Sequence, residues 1–121
     1  MAYNTIFYKS KEVLHVDYRM KSPAEMEEVL NDNVEYIRDV RAKGQDCLLM
    51  IDLRNVPVSD EFFLKLRNTG NANKKYVLKS AILGIHGIKK LFFQMYQLFL
   101  TDSKMKVFDE ENEALEYLVT D

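Results

Sequence analysis

Apolar and polar positions along this 121-residue chain alternate between strand-like and helix-like spacing. Thr5 to Tyr8 and Val13 to Tyr18 are rich in β-branched and aromatic residues, with the polar Lys9-Ser10-Lys11-Glu12 between them. This predicts two strands joined by a tight turn, an opening hairpin. Leu14, Val16 and Tyr18 alternate with Val13, His15 and Asp17, so one face is expected to be the more apolar. Ser22-Pro23-Ala24-Glu25 then reads as a helix start. Ser22 can cap, Pro23 suits the first helical position, and Glu25 completes a capping box. Met26, Val29, Leu30, Val34, Ile37 and Val40 follow at helical spacing, and Gly44 supplies a stop.

The run Cys47 to Leu53 is continuously apolar except for Asp52, which suggests a strand covered on both faces. Ser59 or Asp60 can cap a second helix containing Phe62, Phe63, Leu64 and Leu66. Gly70 ends that helix, or it continues to Tyr76 with a distortion. Ser80 to Ile85 is another buried-type strand, Gly87 opens a third helix reaching Thr101, and Lys104 to Phe108 is a short strand. Asp109 caps a last helix, whose acids Glu110, Glu111 and Glu113 suit the positive end of its dipole. The order ββαβαβαβα predicts an α/β fold with a mostly parallel sheet and an antiparallel opening edge. The length suits a single domain over residues 1–121.

Composition narrows the functional classes. Seventeen Lys+Arg against nineteen Asp+Glu give a net charge of −2, which argues against a dedicated nucleic-acid binder. The single cysteine excludes an internal disulfide framework and a CxxC metal site. Cys47 reads as a small core residue. No secretory pattern opens the chain, and no apolar run reaches the ~18 residues of a membrane span. A cytoplasmic protein is therefore expected.

In an open parallel sheet, ligands favour the crevice beyond the carboxyl ends of the strands. Three loops are expected there. The first holds Asp52, Arg54, Asn55, Ser59 and Asp60, the second Gly84, His86, Gly87 and Lys89, and the third Asp109 to Glu111. His86-Gly87-Ile88-Lys89-Lys90 at a helix start is a candidate anion cradle, although both glycines also simply permit a tight turn. His86 with Asp52 or Asp60 would make an acid/base pair near neutral pH. No nucleophile accompanies it, so no catalytic residue, cofactor or metal is expected. His15 is expected in a cross-strand or surface role.

The predicted third helix has an unusually wide apolar face. With Ile88 as the origin, Leu91, Phe92, Met95, Leu98 and Phe99 form a core stripe, while Phe93, Tyr96 and Leu100 fall to one side. The apolar arc is about twice the ~100° of an ordinary surface helix. Phe93, Tyr96 and Leu100 are thus candidate interface residues, to be covered by another helix, a second copy of the chain or a ligand. A cavity lined by Phe92, Met95, Tyr96 and Phe99 would favour the ligand. Charge is uneven as well. Seven lysines face only Asp102 between Asn71 and Phe108, while acids predominate from Lys21 to Glu61. Such asymmetry steers an acidic partner or marks a head-to-tail contact.

From Leu48 through Val119 the chain resembles the STAS domain superfamily, specifically its small stand-alone SpoIIAA-like proteins. The stretches LLMIDLRNVPVSDEF, KYVLKSAILGIHGIKKLFF and KMKVFDEENEALEYL carry the resemblance. It implies a non-catalytic regulatory or protein-interaction module, working with another protein or as a homodimer. The related CRAL-TRIO lipid-binding fold extends the expectation to an alternative, the binding or sensing of a small anionic or lipid-like ligand. Anti-sigma-factor antagonists of the superfamily carry a phosphorylated serine within Asp-Ser-Ser-Gly at the start of the second helix. Here the matching stretch is Asp60-Glu61-Phe62-Phe63, with Glu61 and Phe62 where the serines would stand and no glycine. Ser59 is the nearest hydroxyl, and a helix cap accounts for it. A module without the phosphorylatable serine is therefore expected.

Overall fold

The computed structural model describes residues 4–57, 59–84 and 104–120. Strands β1 (Thr5–Tyr8) and β2 (Lys11–Asp17) pair antiparallel, with Thr5 opposite Leu14 and Tyr8 opposite Lys11. The turn is the two residues Lys9 and Ser10, both at positive φ (49° and 69°), the geometry that matches hairpin twist. Lys11 and Glu12 belong to β2 and not to the turn.

Helix α1 (Pro23–Ala42) begins with the expected capping box. The Ser22 hydroxyl accepts from the Glu25 amide at 3.2 Å, and the Ser22 amide donates to the Glu25 carboxylate at 2.9 Å. Gly44, at φ 69°, turns the chain out of the helix. Strand β3 (Leu48–Asp52) follows, then α2 (Asp60–Asn73) and a one-turn 3-10 helix (Lys74–Tyr76). The second helix thus runs through Gly70 and ends in a distortion, the longer of the two expected forms. Strands β4 (Lys79–Leu83) and β5 (Met105–Phe108) and helix α3 (Glu111–Val119) complete the described elements. Asp109 does not cap α3. Glu110 holds that position in extended backbone, and its side chain makes no capping bond.

The sheet order is β1-β2-β3-β4-β5, with every pair after the first parallel. Alternate side chains feed two cores. Leu14, Val16, Leu49, Ile51 and Ile82 pack with Met26, Ile37 and Val40 of α1, and Phe62 and Leu66 of α2 lie against them. Val13, Leu48, Met50, Ala81 and Leu83 pack with Ala114, Leu115 and Leu118 of α3. Each Val, Leu, Ile or Met among them, where fully buried, contributes roughly 1.5–3 kcal/mol. Because β2 lies inside the sheet, Val13 through Val16 are all buried. Leu14, Val16 and Tyr18 do make the more apolar face, while the other carries Val13 with His15 and Asp17, and both faces are covered. Cys47 is buried as expected, and burial pushes its thiol pKa up to about 12. The predicted helix at 87–101, with Phe93, Tyr96 and Leu100, lies outside the described residues, as do His86, Gly87 and Lys89.

Candidate functional site at the carboxyl edge of the sheet

Strands β2 and β3 end in the same three-residue pattern, Asp17-Tyr18-Arg19 and Asp52-Leu53-Arg54. Parallel pairing places Asp17 directly beside Asp52, so the two patterns lie side by side. They also share their bonding atom for atom. Asp17 Oδ1 accepts from Arg19 N at 3.0 Å and Arg19 Nε at 2.9 Å, and Asp17 Oδ2 from Arg19 Nη2 at 3.0 Å. Asp52 Oδ1 accepts from Arg54 N at 3.2 Å and Arg54 Nε at 3.0 Å, and Asp52 Oδ2 from Arg54 Nη2 at 2.7 Å. In each turn the residue after the arginine takes a left-handed conformation, Met20 at φ 56° and Asn55 at φ 59°. An aspartate that accepts from the amide two residues on closes a local turn. The same carboxylate then holds its arginine in bidentate geometry.

The two units are cross-linked. Arg19 Nε lies 3.2 Å from Asp52 Oδ2, and Arg54 Nη2 lies 3.3 Å from Glu111 Oε1 at the start of α3. His15 adds a further donor from below, its Nε2 standing 2.8 Å from Asp52 Oδ2. On the other side of the ring, Asn4 Nδ2 is 3.2 Å from His15 Nδ1. A carboxylate only accepts, so Nε2 carries the hydrogen that faces Asp52, and Nδ1 accepts from the Asn4 amide. Asp52 is fully buried. Burial alone would raise its pKa, but hydrogen bonds from His15 and Arg54 overcome that and hold it well below the usual carboxylate range. Asp17 follows the same balance, with burial opposed by the Arg19 hydrogen bonds and a net lowering. The guanidiniums reach the surface, with 39% of the Arg19 side chain and 30% of the Arg54 side chain exposed.

Gly84, just beyond β4, completes the edge. It sits at φ 82°, and a Cβ built there would meet the Cα of Arg54 at 2.4 Å. The glycine is required both by its backbone conformation and by the closeness of Arg54.

The structure brings some expected residues together and separates others. Asp52, Arg54 and Glu111 meet, with Gly84 against Arg54. Asn55 is exposed in the turn that follows. Ser59 caps α2, its hydroxyl accepting from the Phe62 amide at 3.1 Å. It lines a separate cleft between the starts of α1 and α2, alongside Met26 and Lys65. Asp60 is exposed at the first position of α2. His15 meets Asp52, so its cross-strand role is a buried one, while the expected pairing of His86 falls outside the described residues. His15, Asp17 and Arg19 were not among the expected site residues. The repeated Asp-x-Arg at the ends of two predicted strands was the signal that would have found them. Ligand atoms of His15, Asp17 and Asp52 lie within 4.8 Å of one another, a spacing that would suit a cation. The two arginines already satisfy both carboxylates, and their charge opposes a metal ion.

No protein-family model matches the chain, and no curated protein matches it in sequence. Among solved structures it is similar to an uncharacterised protein of the DUF3478 family, with a SpoIIAA-like fold, from Shewanella loihica PV-4. The TM-score is 0.63 at 16% identity, covering 97% of this chain and 92% of that one. Identity that low speaks to the fold alone. The protein therefore has a SpoIIAA-like α/β fold, as the sequence resemblance implied.

Proposed function

We propose that this protein is a non-catalytic regulatory module of the STAS type, acting in the cytoplasm. It binds another protein or a second copy of itself through the loops at the carboxyl edge of the sheet. The apolar residues Phe93, Tyr96 and Leu100 contribute the hydrophobic part of the contact. The state of Asp52 carries this reading. Its buried carboxylate is engaged by His15, Arg19 and Arg54, so it is poorly placed to take a proton from a substrate. The same bonds hold two arginines in a fixed array at the edge, which suits recognition more than turnover. The matching stretch Asp60-Glu61-Phe62-Phe63 offers no serine, and Ser59 is spent as a cap. This supports a contact that is not switched by phosphorylation at that place.

Native mass spectrometry of the parent, Phe93→Asp and Leu100→Asp tests the proposal. A dimer or partner complex in the parent, lost in variants that keep their circular dichroism, is the expected result. Variants that associate as the parent does would remove the interface. A monomeric parent carrying a non-covalent added mass would replace the module with a ligand binder.

A further inference from the structure

At the opposite edge of the sheet, where α1 and α2 end, the two helices flank an open groove of about 830 Å3. Small-molecule sites usually span roughly 300–1,000 Å3. Arg38 and Arg41 of α1 line it together with Asn68, Thr69 and Asn73 of α2 and with Tyr76. No acidic side chain lines it among the described residues.

The two arginines differ from those of the carboxyl edge. Arg19 and Arg54 are each clamped by an aspartate, whereas Arg38 and Arg41 have no carboxylate partner among the described residues. Arg41 is nevertheless held in place, its guanidinium 4.0 Å from the centre of the Tyr76 ring. The negative end of the α1 dipole favours positive charge here, but a lysine would meet that need equally. Two arginines one turn apart offer in addition planar forks that match an oxyanion.

The opposing wall points the same way. Residues Asn68-Thr69-Gly70-Asn71-Ala72-Asn73 are mostly weak helix formers. They lie at the end of a helix that has no fully buried residue, where Thr69, Gly70 and Asn73 also turn partly toward the core residues Leu30, Ile37 and Ile82. Asn68, Thr69 and Asn73 line the groove with short polar side chains, the Asn73 amide donating to the Thr69 carbonyl at 2.9 Å.

We propose that this groove binds a small molecule carrying an oxyanion group, a phosphate or a carboxylate. The anion rests on Arg38 and Arg41, and the remainder of the molecule lies along Asn68 and Thr69. This site is separate from the carboxyl-edge contact and does not depend on it.

The test is a titration of the 15N-labelled chain with inorganic phosphate, pyrophosphate and succinate, each alone at constant ionic strength. Saturable amide shifts confined to residues 34–42 and 68–76 are expected with at least one of them. A response to the phosphates alone or to succinate alone identifies which oxyanion the site takes. The Arg38→Gln/Arg41→Gln double variant is expected to lose the response. The Arg38→Lys/Arg41→Lys double variant keeps the charge and is expected to bind at least about tenfold more weakly. It also supplies the readout should the glutamine variant fold poorly. No saturable shift with any of the three probes would overturn the site, as would a glutamine variant that responds like the parent or a lysine variant of unchanged affinity. Binding of a glutamate-rich peptide without any response to the small anions would overturn it too, in favour of a protein partner.

Discussion

His15 Nε2 donates to Asp52 Oδ2 across 2.8 Å, joining two neighbouring strands through a pair of side chains that are both buried. The two residues are 37 positions apart in sequence. They stand diagonally across β2 and β3, because His15 pairs with Met50 and Asp17 with Asp52. Removing one partner of a buried charge is costly because the other is left short of hydrogen bonds.

His15→Ala is accordingly expected to destabilise the protein by about 2 kcal/mol. The loss stays below that of a stripped ion pair because Arg54 and Arg19 still hold the carboxylate. Arg19→Ala removes a partner that is well exposed to solvent, so its cost is expected to be smaller, about 1 kcal/mol or less. Urea unfolding of the two variants checks the order. An Arg19→Ala loss larger than that of His15→Ala would contradict the central place given to the histidine.

Asp52→Asn is expected to cost about 3 kcal/mol near neutral pH, since an amide cannot accept on both sides from His15 and two arginines. Its pH dependence has a definite sign. The folded pKa of Asp52 is depressed, so its contribution is complete above the unfolded value of about 3.9. It is lost as pH falls from there through the folded value. The gap in melting temperature between parent and Asp52→Asn should therefore be constant above about pH 5 and narrow on acidification below about pH 4. A gap that widens in acid would reverse the assignment.

Gly84→Ala meets two obstacles at once. A left-handed backbone disfavours the new side chain, and its Cβ would stand 2.4 Å from Arg54 Cα and Cγ. A loss of about 3 kcal/mol is expected. The displaced Arg54 should also loosen its pairing with Asp52, which the amide and side-chain shifts of Arg54 would report. Thermal melts within about 1 kcal/mol of the parent would mean that the loop yields without strain.

Tyr18 gives a prediction of the opposite sign. Its hydroxyl is buried without a hydrogen-bond partner among the described residues, and burial raises its pKa above the ordinary tyrosine value. Its ring packs edge-on against Phe62 at 5.2 Å. Tyr18→Phe keeps that contact and deletes the unpaired hydroxyl, so a gain of up to about 1 kcal/mol is expected. A loss of that size in urea unfolding would show that the hydroxyl is hydrogen-bonded in solution.

The sequence by itself determined the elements whose causes are local. The Ser22 to Glu25 capping box, the stop at Gly44 and the buried runs Leu48 to Asp52 and Ser80 to Leu83 each rest on bonds or periodicities spanning a few residues. The strand-helix order followed from them, and with it the parallel sheet. Asp109 failed as a cap because several polar residues at a helix start compete within one turn, and only the backbone path selects among them. The site was half legible for a related reason. Asp52 and Arg54 stood out at the end of an apolar run, and Glu111 stood out at a helix start. His15 and Arg19 did not, because nothing within the hairpin says which strand will lie beside it. Tertiary structure decided that. The β2–β3 register set Asp17 next to Asp52, brought His15 beneath the same carboxylate and placed Gly84 against Arg54. Such contacts depend on how strands pair over tens of residues, which no short-range pattern encodes.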